Sequence, residues 1–217
     1  MHKNVNNLVL IETELKSKLP NFDKVKIIAV SKTFPPDDIL PLIDHGQIHF
    51  GENKVQEAIE KWPNIKKEFP NIKLHMIGKL QSNKVKFVIP LFDYIHSLDN
   101  LKLAKKISNE QSKFNKKLKI FIQINIADEG QKSGINPTEL NSFYQTCIKE
   151  LNLNIIGLMC IPPNNTNTNI YFSEMKKLKS TINVTDLSMG MSQDYLKAIE
   201  YDATYIRIGS KIFGSRV

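Results

Sequence analysis

The sequence predicts an α/β fold, a single (β/α)8 TIM barrel with an extra helix at the amino terminus. Eight short apolar, β-branched runs recur along the 217 residues, and the intervals between them suit a loop and a helix. The runs are continuously apolar rather than alternating, which is typical of parallel strands buried on both faces. No shift in composition divides the chain, so we expect one domain over residues 1–217.

The amino-terminal stretch and the eight runs supply the elements in order. Residues 1–16 interrupt their apolar stretch with Glu12 and Glu14, which predicts an amphipathic helix rather than a signal peptide or a membrane span. The predicted strands are KIIAV from residue 26, IHFGEN from 48, KLHMIG from 73, YIHSLD from 94, KIFIQIN from 119, NIIGLMC from 154, DLSMG from 186 and YIRIG from 205.

Helix signals lie between these runs. Residues 36–45 open with a proline and two acidic residues, and residues 137–151 start with a proline at a first-turn position. Residues 100–113 come directly after Asp99, which is the expected amino-terminal cap of that helix. Residues 162–169 are polar and poor in helix formers, which predicts a surface loop. The same alternation would also build an open, doubly wound sheet, but no GxGxxG sequence follows a strand to mark a dinucleotide site.

The composition is that of an ordinary globular protein, with 41% hydrophobic and 24% charged residues. The formal charge of +8 comes almost wholly from scattered lysines, and only Arg207 and Arg216 are arginines, so we expect no nucleic-acid partner. Cys147 and Cys160 form no CxxC pair, and the histidines lack metal-ligand spacing. We therefore expect no metal, no disulfide and a cytoplasmic location.

Lys32 lies at the carboxyl tip of the first predicted strand and shares a face with Ile28 and Val30, so we expect it to point into the barrel. Burial disfavours the charged form of a lysine and makes its amine a nucleophile for carbonyl groups. Lys32 is therefore a candidate for a Schiff base; the alternative is a lysine that extends from the strand end into water. Asn53, after the second strand, is either a ligand contact or a helix cap.

Two motifs rich in glycine and serine follow the seventh and eighth strands, where a barrel of this kind commonly holds a phosphate. Small residues let backbone N–H groups approach an anion, and hydroxyls add donors. The alternative is that these residues only make turns. The motifs are LSMGMS, with Ser188, Gly190 and Ser192, and RIGS, with Gly209 and Ser210.

Arg207 shares a strand face with Tyr205 and Gly209, which directs its guanidinium into the barrel. An interior guanidinium needs an acceptor, and an ion pair with a carboxylate such as Asp99 is one interpretation. His75 and Tyr205 also face inward, where a hydrogen-bonded core role is the better interpretation. A lysine Schiff base, two phosphate loops and an inward arginine together indicate pyridoxal 5′-phosphate, because this one ligand explains all three.

Six ordered motifs resemble the YggS/PROSC family of pyridoxal phosphate-binding proteins over nearly the whole chain. They are KIIAVSKT, HFGENKVQEA, HMIGKLQSNK, QKSGI, GLMCIPP, and LSMGMSQDYLKAI with RIGSKIFGSR. The resemblance implies one barrel like the amino-terminal domain of alanine racemase, with a role in pyridoxal phosphate homeostasis. It also implies that Lys32 carries the Schiff base, that Ser188, Gly209 and Ser210 hold the phosphate, and that Arg207 faces the pyridine nitrogen.

Two residues depart from the family pattern. Phe34 stands where many relatives have a lysine after SKT, which puts a lysine-assisted step of cofactor transfer in question. Asp202 stands where a glycine is expected, outside the proposed phosphate contacts, and we expect it to change only a helix end.

The resemblance also bears on activity. An arginine opposite the ring nitrogen keeps that nitrogen unprotonated, which makes the ring a poorer electron sink. The sequence ends a few residues after the eighth strand, so we expect no second domain of the kind that carries the tyrosine base in alanine racemases. We expect a monomeric, non-catalytic protein that buffers pyridoxal phosphate or delivers it to apo-enzymes. The alternative is an amino-acid racemase that takes its second base from Lys84 or Lys132.

Overall fold

The computed structural model describes residues 2–19, 24–127, 133–163 and 167–214. Its strands are β1 (Lys26–Val30), β2 (His49–Glu52), β3 (Lys73–Met76), β4 (Tyr94–Leu98), β5 (Lys119–Gln123), β6 (Ile155–Met159), β7 (Asp186–Met191) and β8 (Tyr205–Ile208). They run parallel and close into a barrel in chain order, with β8 paired to β1. The predicted barrel is therefore confirmed, and the open sheet is excluded because no strand edge is left unpaired.

The helices follow the strands as predicted. They are α1 (Lys3–Lys18), α2 (Pro36–Asp44), α3 (Val55–Glu68), α4 (Val85–Leu91), α5 (Leu101–Phe114), α6 (Leu140–Gln145), α7 (Thr168–Thr181), α8 (Tyr195–Glu200) and α9 (Ser210–Phe213). The extra helix α1 packs against α2 and α9. Asn7 on α1 donates to the carbonyl of Ile212 at 2.8 Å, which ties the amino-terminal helix to the turn after the last strand.

Two predicted helices differ in detail. The cap of α5 is Asn100 rather than Asp99, because the Asn100 side chain accepts from the backbone N–H of Leu103 at 2.8 Å. The helix predicted over 137–151 is irregular: a 3₁₀ turn precedes α6, and a π-helical turn follows it over Thr146–Glu150. The π-helix occurs in proteins mostly as such single turns within α-helices.

Apolar side chains fill the space on both sides of the strands. Outside the barrel, Trp62 on α3 is fully buried and packs against Phe50 on β2, with ring centroids 5.2 Å apart. A separate buried cluster fills the interior and consists of Ile28, Tyr94, Phe121, Met159 and Tyr205. The barrel is therefore packed through its middle, and a ligand site must lie at one of its ends.

Asp202 lies just after α8 and is exposed, with a φ of 66°. This left-handed backbone region favours glycine, although aspartate also tolerates it. The positive φ explains why a glycine suits this position. The replacement of the expected glycine by Asp202 therefore lies at a helix end.

Candidate functional site

A cavity of about 930 Å³ lies at the carboxyl ends of the strands. Five of the six predicted site residues line it, from the loops after β1, β2 and β8 and from β8 itself. These five are Lys32, Asn53, Arg207, Gly209 and Ser210. The sixth, Ser188, does not line it.

The segment that carries Lys32 makes a tight turn directly after β1. Thr33, the next residue, has a φ of 69°, an uncommon conformation for a β-branched side chain. Its backbone N–H donates to Glu57 on α3. Lys61, also on α3, donates to the carbonyls of Ser31 at 2.9 Å and Phe34 at 3.1 Å. Contacts from one helix therefore hold the turn on both sides of Lys32 and offset the strain at Thr33.

A buried carboxylate completes this support. Glu52, the last residue of β2, is fully buried, and its Oε1 lies 2.8 Å from the Nζ of Lys61. The same oxygen accepts from the hydroxyl of Ser31 at 2.8 Å and from the indole N–H of Trp62 at 2.9 Å. Sequence reasoning missed Glu52 and Lys61; the available signal was an acidic residue inside an otherwise buried strand.

Ser192 occupies the position expected of a phosphate contact. It directly follows β7, lines the cavity, and its Oγ accepts from the backbone N–H groups of Gly209 and Lys211, both at 3.3 Å. A hydroxyl and two backbone donors therefore meet where β7 and β8 end. Ser210, the first residue of α9, lies beside them on the cavity wall.

Ser188 differs from its expected position. The strand continues to Met191, so Ser188 lies in the middle of β7 and is fully buried. Its Oγ accepts from Nη1 of Arg207 at 2.6 Å and lies 2.8 Å from Nδ1 of His96. The Ser188 hydroxyl is therefore buried, does not line the cavity and is bonded to other side chains, so its predicted contact with a phosphate stays a prediction.

Arg207 points into the barrel as predicted and reaches the cavity wall. Its Nη2 donates to the carbonyl of Cys160 at 2.8 Å. Within the described part of the chain, no carboxylate forms a salt bridge with it, so the ion pair with Asp99 is not observed. Burial lowers the pKa of the Arg207 guanidinium and raises the pKa of the Cys160 thiol to about 12.

Asn53 and Phe34 shape the rest of the wall. The Oδ1 of Asn53 is buried and has no hydrogen-bond partner among the described residues. Gly78 approaches the Asn53 backbone so closely that a Cβ on it would lie 2.3 Å from the Asn53 carbonyl oxygen. Phe34 stacks on Phe213 with ring centroids 4.7 Å apart, which forms an apolar part of the rim.

Of the two lysines considered as second bases, only Lys84 lies among the described residues. Lys84 ends a 3₁₀ turn after β3 and does not line the cavity. Lys132 and Arg216 lie outside the described residues. Across the described ranges, no group of three or more metal-ligating side chains is present, and no helix has the length and apolarity to cross a membrane.

Sequence comparison identifies relatives along nearly the whole chain. Residues 13–217 match the family model of the alanine racemase N-terminal domain. A pyridoxal phosphate homeostasis protein of Haemophilus influenzae is 40% identical, and the match covers 95% of this chain and 91% of that protein. The protein of the same name in Escherichia coli is 35% identical over 89% of this chain and 87% of its own length.

Comparison with solved structures also identifies a relative that covers nearly the whole chain. PipY of Synechococcus elongatus, solved with pyridoxal phosphate bound, is 33% identical and superposes with a TM-score of 0.85 over 97% of this chain and 100% of its own. An alanine racemase of Bartonella henselae superposes with a TM-score of 0.75 over 99% of this chain and 60% of its own. At 15% identity the racemase shares the fold alone.

Proposed function

The chain belongs to the alanine racemase N-terminal domain family and to its pyridoxal phosphate homeostasis proteins, and we propose that it binds pyridoxal 5′-phosphate and maintains the supply of that cofactor. The observation that carries the proposal is the convergence of five predicted site residues on one cavity. The cavity volume of about 930 Å³ falls within the range typical of small-molecule sites.

The residues fit the cofactor at each of its polar ends. When bound, pyridoxal phosphate supplies an aldehyde that condenses with a lysine amine, with loss of one water. We assign that lysine as Lys32, because its turn is held by α3 at the open end of β1.

The phosphate contacts are proposed at the ends of β7 and β8. Gly209 and Ser210 keep the roles expected from the sequence, and Ser192 replaces Ser188 as the hydroxyl donor. Small residues and backbone N–H groups are suited to an anion, since they allow close approach and carry positive partial charge. The buried Oδ1 of Asn53 is proposed to accept a hydrogen bond from the bound cofactor, which would satisfy its unpaired acceptor.

Arg207 is proposed to face the pyridine nitrogen. Arginine carries only donors and stays protonated, so it pairs with an unprotonated ring nitrogen. An unprotonated ring withdraws electrons weakly, which disfavours transamination but leaves racemisation possible. Because the relatives are named pyridoxal phosphate homeostasis proteins, we propose that the protein holds the cofactor without turnover, and buffers it or delivers it to apo-enzymes as a monomer in the cytoplasm.

Reconstitution tests the binding proposal. The purified protein is incubated with pyridoxal phosphate, dialysed, examined by visible absorbance, reduced with borohydride and mapped by peptide mass. We expect cofactor absorbance and a label on Lys32, retention of both in Lys102→Ala on the exposed surface of α5, and loss of both in Lys32→Ala. Wild-type protein without cofactor absorbance, or a Lys32→Ala variant that behaves like wild type, contradicts the proposal.

Two further assays test the role. Loaded protein is mixed with an apo-enzyme that requires pyridoxal phosphate, and activation is compared with that given by the same concentration of free cofactor. Activation that is faster or more complete than with free cofactor supports delivery. Activation that is slower than with free cofactor supports storage. Steady conversion of L-alanine or L-serine to its mirror image would instead establish a racemase.

A further inference from the structure

A continuous chain of polar side chains runs through the barrel interior from its amino-terminal mouth to the cavity. Nδ1 of His49 lies 2.9 Å from Nε2 of His75, and Nδ1 of His75 lies 2.9 Å from Nε2 of His96. Nδ1 of His96 lies 2.8 Å from Oγ of Ser188, which accepts from Arg207 at 2.6 Å. The side chains of His75, His96 and Ser188 therefore connect His49, the first residue of β2, to the guanidinium on the cavity wall.

Aromatic packing fixes the rings of the two deeper histidines. His75 stacks on Tyr94, with centroids 4.0 Å apart and an interplanar angle of 15°. His96 stacks on Phe121, with centroids 4.3 Å apart and an angle of 21°. A tilt of either ring out of its plane would break this stacking and two hydrogen bonds at once, so the packing fixes the planes of both rings.

The direction of the hydrogen bonds follows from Arg207, which can only donate. Ser188 accepts from Arg207, and the only acceptor for its own hydrogen among the described residues is Nδ1 of His96. With the Ser188 hydrogen directed to Nδ1, His96 would carry its own hydrogen on Nε2 and donate to His75, and His75 would in turn donate to His49. All hydrogens would then point away from Arg207, and His49 would carry its own on Nε2.

The chain stays uncharged near neutral pH. Burial lowers the pKa of His75 and of His96 well below the ordinary histidine value; the neighbouring histidines and Lys66 and Lys119 add to the effect at His75. Arg207 and His49 add to it at His96. A neutral imidazole donates through one nitrogen and accepts through the other, as each member of the chain requires.

His49 lies where the chain meets the amino-terminal mouth. Burial and the charges of Lys26, Lys73 and Lys119 together lower its pKa to about 4, while Asp93 opposes them. These three lysines begin β1, β3 and β5, so positive charge surrounds this end of the chain. A proton on Nδ1 of His49 would remove the acceptor that His75 needs, so the surrounding lysines protect the direction of the whole chain.

We propose that His49, His75, His96 and Ser188 form a directed hydrogen-bond chain that positions Arg207 for the ring nitrogen of the cofactor. Ser188 and the histidines are positioning residues, since they act through Arg207 and do not line the cavity. The cofactor part of this inference rests on the proposed function, whereas the hydrogen-bond direction does not. Ser188 and the Cys160 carbonyl each take one N–H, and the remaining guanidinium donors have no partner among the described residues, which leaves them to a ligand.

Nitrogen NMR of the protein without cofactor tests the direction. In protein labelled with ¹⁵N-histidine, long-range ¹H–¹⁵N spectra at about pH 7 distinguish a protonated ring nitrogen from an unprotonated one. We expect His49, His75 and His96 all to be neutral with the hydrogen on Nε2. A hydrogen on Nδ1 of His96, or a charged histidine in the chain, overturns the proposal, and this result needs no variant to fold.

Substitutions of Ser188 test the positioning. In Ser188→Ala, His96 is expected to become a mixture of its two neutral tautomers. Cofactor binding is expected to weaken about tenfold, the effect of losing one charge-assisted hydrogen bond. Ser188→Thr, which keeps the hydroxyl, is expected to restore both readouts. His45→Gln is the matched control, because His45 is exposed on the surface after α2. Unchanged tautomers and affinity in Ser188→Ala overturn the proposal.

The two proposals fail in different ways. If wild-type protein binds no cofactor, the proposed function fails, and the histidine spectra still report the direction of the chain. If the cofactor binds normally but the spectra show another pattern, the function stands and the chain is wrong.

Discussion

Replacing Lys61 by methionine removes the cation from the buried ion pair beneath the Lys32 turn. The Lys61 side chain is 7% exposed and that of Glu52 is 0% exposed. The variant leaves the Glu52 carboxylate buried without its charge partner, and one oxygen of that carboxylate already lacks a partner among the described residues. It also removes donors from the carbonyls of Ser31 and Phe34.

Loss of one member of a buried ion pair typically costs about 3–5 kcal/mol. We therefore expect Lys61→Met to lower the free energy of unfolding by about 4 kcal/mol, a large share of the total for a domain. The assay is urea unfolding followed by circular dichroism and by the fluorescence of Trp62, the single tryptophan. Cofactor binding is expected to weaken in the same variant, because the turn that carries Lys32 loses two of its anchors.

A double variant separates charge from packing. Glu52→Gln with Lys61→Met keeps an acceptor for Ser31 and Trp62 and removes the uncompensated charge, so we expect it to recover about 2 kcal/mol relative to Lys61→Met alone. Lys177→Met is the control, since Lys177 is 71% exposed in its pair with Glu174 and should change stability by less than about 0.5 kcal/mol. A cost below about 1 kcal/mol for Lys61→Met, or no recovery in the double variant, would refute the reasoning.

Further measurements address the histidine chain, the cavity wall and the cysteines. The pKa of His49 is about 4 in the folded protein against 6.5 for a free histidine, so the unfolded chain binds more protons below pH 6.5. Stability should fall by roughly 3 kcal/mol between about pH 6.5 and pH 4, and His49→Asn should lose that part of the dependence in urea titrations. Gly78→Ala should cost about 1–3 kcal/mol, because its Cβ would meet the Asn53 carbonyl oxygen at 2.3 Å. Burial raises the pKa of Cys147 and Cys160 to about 12, so neither should react with a thiol reagent until the protein unfolds.

The barrel was predictable from the sequence because its signals are local. Each strand is a short apolar run, and alternation along β8 was enough to direct Arg207 inward. The same alternation applied to β7 did not reveal how deep Ser188 lies. That depth depends on where β7 ends, and the strand continues because Met191 pairs with Arg207 on β8, a contact between distant parts of the chain.

The supports of the site were not predictable, because each joins residues that only the closed barrel brings together. The pair of Glu52 and Lys61 links a strand to the helix after it, and nothing in the local sequence favours that pairing over an exposed lysine. The hydrogen bond between His96 and Ser188 spans 92 positions of the chain. Spacing rules for histidines search for metal ligands at short intervals, so they pass over three histidines on successive strands.

The two ends of the site are supported independently. The Lys32 turn rests on α3 through Glu52 and Lys61, whereas Arg207 is held from the barrel interior through Ser188. A ligand that contacts both ends meets donors already oriented, so little of its binding free energy goes into ordering them. Storage and delivery of a cofactor require such preorganised contacts and one reversible bond to a lysine. A racemase requires, in addition, two groups that exchange protons on opposite faces of the substrate, so the racemisation assay decides between the two roles.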